Sequence, residues 1–251
     1  MQDINVDGRK IFYIDNKLQK EAPLLLFVHG AGGAHDVWEK QINYFTSYAR
    51  IIVIDLPAHG YSQGPSFNSI EEYADFLNNF LISINVLTSL TLIGHSMGGA
   101  ICQVFAGKYP EKVSQLILVG TGITLPVNET VLRELKEGIF NPKLNMWAFS
   151  KKTSPELVQK NEEKWRAVDA EVLYKAFNAC NNFNGTGILQ NLKVPVAVIF
   201  GKDDKLTPLT NIDIFKKEND KISEFVISDA GNMFMIEQPD AFNKVLSELI
   251  L

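Results

Sequence analysis

The chain has 251 residues and a formal net charge of −5, with 46% hydrophobic and 21% charged residues. This length suits one large domain, or a core domain that carries an inserted subdomain. Lys and Arg form no cluster, so we expect neither a nucleic acid nor an anionic membrane as partner. The first ten residues lack the apolar core of a signal peptide and no apolar run has membrane-spanning length, which predicts a cytoplasmic protein.

The first half of the chain alternates apolar runs with amphipathic stretches. The expected elements are strands at 11–14, 24–28, 51–54, 90–93 and 115–119 and helices at 36–48, 69–84 and 97–108. The polar turn 15–21 predicts that the first two strands form a hairpin, and Ser69 with Glu72 forms a capping box. This alternation is typical of a doubly wound, mostly parallel α/β sheet.

Between residues 123 and 192 the alternation stops. This stretch has helical patterns at 129–139, 155–167 and 170–180 and no convincing strand. It is also rich in aromatic residues, among them Trp147. We expect a helical lid over 123–192, inserted in a core formed by 1–122 and 193–251. Alternatively, the aromatic residues form the lid's own core. Core strands at 196–200 and 224–227 and a helix at 239–250 complete the chain.

The pattern Gly94-His95-Ser96-Met97-Gly98 follows an apolar run and precedes a helical stretch. This is the sequence form of a nucleophile elbow, in which a strained turn lifts the Ser hydroxyl above the sheet edge. Any side chain at Gly94 or Gly98 is expected to collide with a neighbouring strand or helix. An ordinary Gly-rich turn is the alternative. The strand before and the helix after favour Ser96 as a nucleophile.

Two further polar turns follow predicted strands. His29-Gly30-Ala31-Gly32-Gly33 ends one strand, and its backbone N–H groups could supply half of an oxyanion hole. Asp203 and Asp204 follow the strand at 196–200, where such residues are also common as simple turn formers.

Cys102 and Cys180 lie in predicted helices and form no disulfide framework, so we expect small buried side chains.

These motifs, together with Asp55-Leu56-Pro57-Ala58-His59-Gly60 and Glu237-Gln238-Pro239, resemble the α/β-hydrolase superfamily over essentially the whole chain. The lid and its exit are similar to enol-lactonase-like and small carboxylesterase-like members. The resemblance implies Ser96 as nucleophile, Asp204 as acid with Asp203 as runner-up, and an oxyanion hole formed by the N–H groups of Ala31 and Met97. It also implies substrate contacts from Gly30, Gly32, His95, Trp147 and Met233, and no cofactor or metal.

The resemblance demands a histidine after the last strand, and the chain has Asn232 there. The histidines are His29, His35, His59 and His95, all in the first half. His29 and His59 match structural turn positions, and His95 is expected to point away from the partner of the nucleophile. His35 could approach the pocket, but its spacing does not indicate a base. Either Asn232 is an engineered replacement of a native histidine, made to trap a substrate or intermediate, which the consistency of the other motifs favours, or the protein is a natural member that is non-catalytic or differently catalytic.

The leading hypothesis is a serine hydrolase that acts on a small carboxylic ester or lactone through an acyl-enzyme. We expect Asn232 to make the chain nearly inactive, because an amide accepts no proton near neutral pH. One alternative is carbon–carbon bond hydrolysis or cofactor-free peroxide chemistry, which the same triad supports in relatives. Another is a non-catalytic ligand-binding homologue. The partner would be a small molecule, and the chain a monomer or homodimer.

Overall fold

The computed structural model describes residues 1–18 and 22–251. Eight strands form one sheet in the order β1-β2-β4-β3-β5-β6-β7-β8. The strands are β1 Gln2–Val6, β2 Arg9–Asp15, β3 Leu24–Val28, β4 Arg50–Ile54, β5 Leu90–His95, β6 Val113–Val119, β7 Val196–Gly201 and β8 Ser223–Ile227. The pairs from β4 through β8 are parallel, so the predicted mostly parallel α/β sheet is confirmed.

The predicted hairpin between the strands at 11–14 and 24–28 is wrong. Strand β2 pairs antiparallel with β1 on one side and with β4 on the other, and β3 lies beyond β4. Asp7 and Gly8 both have positive φ, which suits the two-residue turn that joins β1 to β2. The Asp-Gly pair was the available signal for this hairpin. Part of the predicted 15–21 turn, residues 19–21, lies outside the described residues.

Ten α-helices surround the sheet in the described part of the chain. They are α1 Glu39–Phe45, α2 Ile70–Ser83, α3 Met97–Lys108, α4 Glu129–Lys136, α5 Pro142–Trp147, α6 Pro155–Arg166, α7 Ala170–Asn182, α8 Thr210–Glu218, α9 Phe234–Glu237 and α10 Pro239–Ile250. The predicted capping box is confirmed, since the Ser69 side chain accepts from the Glu72 N–H and the Glu72 side chain accepts from the Ser69 N–H. Sequence periodicity did not predict the short helix α5.

Side-chain alternation along the strands divides the core between the two faces of the sheet. Leu92 of β5 packs in a cluster with residues of α2 and α3, and Ile93 packs in a second cluster with residues of α1 and α10. Cys102 and Cys180 are buried and free, as expected. Because successive residues of a strand point to opposite faces, His95 shares the face of Ile93.

The chain between β6 and β7 contains α4, α5, α6 and α7. An isolated antiparallel bridge joins Thr124 to Asn184 at the base of this segment. Val131, Leu135, Trp165 and Leu173 belong to a separate apolar cluster here, so several of the aromatic and aliphatic residues do pack within the segment. Among residues 1–18 and 22–251, no helix has the length and apolar character needed to cross a membrane.

Candidate active site

Ser96 occupies a strained turn between β5 and α3. Its φ of 51° and ψ of −114° are rare for a residue with a side chain. A Cβ atom on Gly98 would lie 2.3 Å from the Val28 carbonyl oxygen, and one on Gly94 would lie 2.3 Å from the Gly98 carbonyl oxygen. The predicted collisions at both glycines are therefore confirmed. The Ser96 N–H donates to the Val119 carbonyl at 2.9 Å, which ties the turn to β6.

Ser96 lines a cavity of about 230 Å³ between the carboxyl ends of the strands and helices α4 to α7. Every residue that the resemblance assigned to substrate contact also lines this cavity: Gly30, Gly32, His95, Trp147 and Met233. Trp147 is 38% exposed and so lies at the mouth. Apolar side chains from the segment between β6 and β7 provide much of the remaining wall, among them Leu125, Val131, Leu144, Trp165 and Phe177.

Two backbone N–H groups close to Ser96 are free to bind an anion. Met97 is the first residue of α3, where a helix has no internal acceptor for its N–H. The Ala31 N–H likewise donates to no acceptor in residues 1–18 and 22–251, and Ala31 lines the cavity. The partial positive charge at the start of α3 also favours an anion at this place.

Asp204 is the carboxylate that contacts position 232. It accepts hydrogen bonds from Asn232 Nδ2 at 2.8 Å, Thr207 Oγ1 at 2.6 Å, the Thr207 N–H at 2.9 Å and the Leu206 N–H at 2.8 Å. Asp203 instead accepts from Ser150 Oγ at 2.6 Å. All four partners of Asp204 are donors, which suits an ionised carboxylate even though burial raises the pKa of Asp204.

Asn232 is 2% exposed and its side chain is fully hydrogen-bonded. Besides Asp204, Nδ2 donates to Thr207 Oγ1 at 2.9 Å and to the Gly120 carbonyl at 3.0 Å. Its Oδ1 lies 2.8 Å from His95 Nε2. The amide thus occupies the place beside Asp204 where the family histidine is expected, but it has no group that can accept a proton from Ser96.

The expectation that His95 points away from this network is wrong. His95 Nε2 lies 2.8 Å from Asn232 Oδ1 and 3.1 Å from the Asn232 carbonyl oxygen. Both neighbours are acceptors, so Nε2 carries the ring proton. The strand alternation that places His95 on the face of Ile93 also brings it to the turn after β8, which packs on that face. Burial lowers the pKa of His95 to about 4, so the ring is neutral near pH 7.

The other three histidines have structural contacts. His29 Nε2 accepts the Leu56 N–H at 3.0 Å, and His59 Nδ1 lies 3.0 Å from the Pro57 carbonyl oxygen. His35 Nδ1 pairs with Asp55 at 2.9 Å, and this hydrogen bond raises the pKa of His35. His35 is not among the residues that line the cavity.

Sequence reasoning did not predict several of the contacts that hold the site. The Ala148 carbonyl accepts the Asn232 N–H at 2.8 Å, so the end of α5 secures the turn. Glu237 accepts the Gly231 N–H and the Ser150 N–H, each at 2.8 Å, and links the same turn to the segment after α5. Thr207 could have been found from its position three residues after Asp204, where a carboxylate commonly accepts a backbone N–H.

In residues 1–18 and 22–251, no cluster of three or more His, Cys, Asp or Glu side chains could hold a metal ion. The polar groups around Ser96 are amides, hydroxyls, a neutral imidazole and one carboxylate. This set can bind and polarise a carbonyl group.

Known proteins share this architecture. Protein ABHD8 of Homo sapiens is 24% identical over 259 residues, which cover 91% of this chain and 55% of that protein, so the chain spans about half its length. The structure of a thermophilic esterase is 29% identical with a TM-score of 0.83, covering 99% of this chain and 96% of the other. The enol-lactonase from Burkholderia xenovorans has a TM-score of 0.90 at 17% identity and 98% coverage of both chains, a likeness of fold alone.

A family model described as the alpha/beta hydrolase fold matches residues 23–239. The matched residues run from β3 to the start of α10 and include the elbow, the Asp204 turn and Asn232. The chain therefore belongs to the alpha/beta hydrolase fold family.

Proposed function

We propose that this chain is a carboxylic ester or lactone hydrolase whose catalytic centre is complete except for the base at position 232. The observation that carries the proposal is the strained turn at Ser96, which opens on the cavity while Asp204 stays in contact with residue 232 at 2.8 Å. A protein that only needed the fold would have no use for backbone strain of this kind. Helices α4 to α7 form the lid in this proposal.

In the proposed reaction, Ser96 Oγ forms a bond to the carbonyl carbon, and the carbonyl electrons move to its oxygen. The N–H groups of Ala31 and Met97 stabilise that oxyanion. Collapse of the intermediate expels the alcohol, or the ring oxygen of a lactone, and leaves an acyl group on Ser96 that water then removes. Each step needs a group that takes and returns a proton. Asn232 cannot do so, and loss of a triad histidine costs roughly 10⁶-fold in turnover, or about 8 kcal/mol of barrier.

The test compares hydrolysis of p-nitrophenyl acetate and butyrate by the wild-type chain and by Asn232→His. The 3.1 Å contact of His95 with the backbone carbonyl of residue 232 does not depend on that side chain, so the neighbouring ring keeps one partner. We expect a gain of several orders of magnitude, abolished by adding Ser96→Ala. Asn68→His, at an exposed position, is the matched control and should change nothing.

A second candidate is a ligand-binding homologue without turnover. It is favoured by the complete hydrogen bonding of Asn232, whose oxygen bonds to His95 and not to Ser96. If Asn232→His folds, binds small esters and still fails to hydrolyse them, the hydrolase proposal is wrong and this candidate replaces it.

A further inference from the structure

Helix α6 carries one buried polar side chain in the row that faces the cavity. Along Pro155–Arg166 the inward positions include Val158, Asn161 and Trp165, spaced three and four residues apart. Asn161 is only 5% exposed and lines the same cavity as Ser96. Burying an amide costs free energy unless its polar atoms are paired, so its partners are informative.

One end of the Asn161 amide has a partner and the other has none. Nδ2 donates to Asn145 Oδ1 at 2.7 Å, and Asn145 Nδ2 donates to the Val158 carbonyl at 3.0 Å. Oδ1 of Asn161 accepts no hydrogen bond from residues 1–18 or 22–251. In residues 1–18 and 22–251, Gln103 Oε1 is sealed in the interior without a partner, whereas Asn161 Oδ1 remains accessible on a residue that lines the cavity.

Most other polar side chains around the cavity have defined partners. Asn128 caps α4 by accepting the Thr130 N–H at 2.8 Å, and Lys164 pairs with Asp36. Asn232 and Thr207 belong to the Asp204 network. Lys205 is exposed at the rim. Among the side-chain amides that line the cavity, Asn161 is thus the one whose oxygen accepts no hydrogen bond in the described residues and stays free for a ligand.

We propose that Asn161 determines specificity by accepting a hydrogen bond from an O–H or N–H group of the substrate. The preferred esters or lactones then carry a hydroxyl or a secondary amide that can reach Asn161 within a cavity of about 230 Å³. A site built around such an acceptor rejects an analogue without the donor, because the oxygen is desolvated and stays unpaired. This inference rests on the proposed function, since it takes Ser96 as the reacting group.

The experiment uses the Asn232→His chain with ethyl butyrate, ethyl 3-hydroxybutyrate and ethyl N-acetylglycinate, followed by pH-stat. Adding Asn161→Leu should lower the ratio of kcat/KM for each donor-bearing ester to kcat/KM for ethyl butyrate by about tenfold, because leucine neither accepts the donor nor leaves a desolvated oxygen against ethyl butyrate. Asn145→Leu is the matched control, because it breaks the same hydrogen bond between α5 and α6 but keeps Asn161 Oδ1. It should leave the ratio between the esters unchanged.

An equal loss for all three esters in Asn161→Leu, or the same change of ratio in Asn145→Leu, would mean that Asn161 only fastens the inserted helices, and the proposal would be wrong. A second readout needs no turnover. The Tm of the wild-type chain should rise more with 4-hydroxy-2-pentanone than with 2-pentanone, which has no hydrogen-bond donor, and Asn161→Leu should remove the difference. Equal or absent shifts would overturn the assignment. If that difference is found while every Asn232→His chain is inactive, the hydrolase proposal fails and the ligand contact of Asn161 stands.

Discussion

The substitution Asn232→Asp exchanges one N–H₂ group for an oxygen and keeps the shape of the side chain. In the wild-type chain Nδ2 donates to Asp204 Oδ2 at 2.8 Å, Thr207 Oγ1 at 2.9 Å and the Gly120 carbonyl at 3.0 Å. An ionised carboxylate at position 232 has no donor for these contacts. Two buried carboxylates in hydrogen-bond contact cannot both stay ionised. The folded variant therefore holds one extra proton, either between the carboxylates or on His95.

The unfolded variant loses the proton of this carboxyl near pH 4, whereas the folded variant retains it to higher pH. The folded state then binds more protons than the unfolded state, so stability falls as pH rises, by up to about 1.4 kcal/mol per pH unit. Relative to the wild-type chain, we expect Asn232→Asp to lose roughly 2–3 kcal/mol of unfolding free energy between about pH 4.5 and about pH 6.5.

Urea unfolding followed by tryptophan fluorescence at several pH values in that interval measures this difference. Asn128→Asp is the matched control, because Asn128 is an exposed helix cap whose oxygen accepts a hydrogen bond, a role that a carboxylate fills as well. It should show no such pH dependence. A stability difference between Asn232→Asp and wild type that stays constant across the interval would refute the hydrogen-bond assignment at Asn232.

Two more outcomes follow from the contacts described above. Gly98→Ala should lower the free energy of unfolding by about 3 kcal/mol or prevent folding, because its Cβ would lie 2.3 Å from the rigid Val28 carbonyl oxygen. Gly107→Ala in the same helix meets only a side-chain methyl group at 3.1 Å, so its free energy of unfolding should stay within about 1 kcal/mol of wild type. Thermal unfolding of both variants measures the difference. In urea unfolding, His35→Gln should destabilise the chain more below about pH 6 than at about pH 8.5. The hydrogen bond to Asp55 raises the pKa of folded His35, so the protonated ring stabilises the fold at low pH, and this stabilisation is lost as pH rises through the raised pKa. A loss independent of pH would contradict the His35–Asp55 ion pair.

Much of the fold could be predicted from the sequence because its signals are local. The β-branched run at 51–54 predicts a buried strand, and Ser69 with Glu72 predicts the start of a helix. The strained turn at Ser96 follows from glycines at two positions that tolerate no side chain. Strand pairing is different, because it joins segments distant in the chain. The Arg9–Asp15 strand pairs with Arg50–Ile54, and no local pattern in it predicts that partner.

The candidate site divides in the same way. The family resemblance predicts Asp204 as the acid, with Asp203 as runner-up. The structure places Asp204, and not Asp203, against residue 232, because consecutive residues leaving a strand point in different directions. The sequence could not predict that the Asn232 side chain is fully hydrogen-bonded, because its partners His95, Thr207 and Gly120 come from three other parts of the chain.

The sequence by itself determined the fold class, the elbow at Ser96 and the absence of a histidine after the last strand, because each depends on residue types at short, fixed spacing. Only the tertiary structure decided that His95 contacts Asn232 and that Asn161 presents an unpaired oxygen to the cavity. These contacts depend on how strands and helices pack together. Packing of that kind arises from burial summed over the whole molecule, which no single motif records.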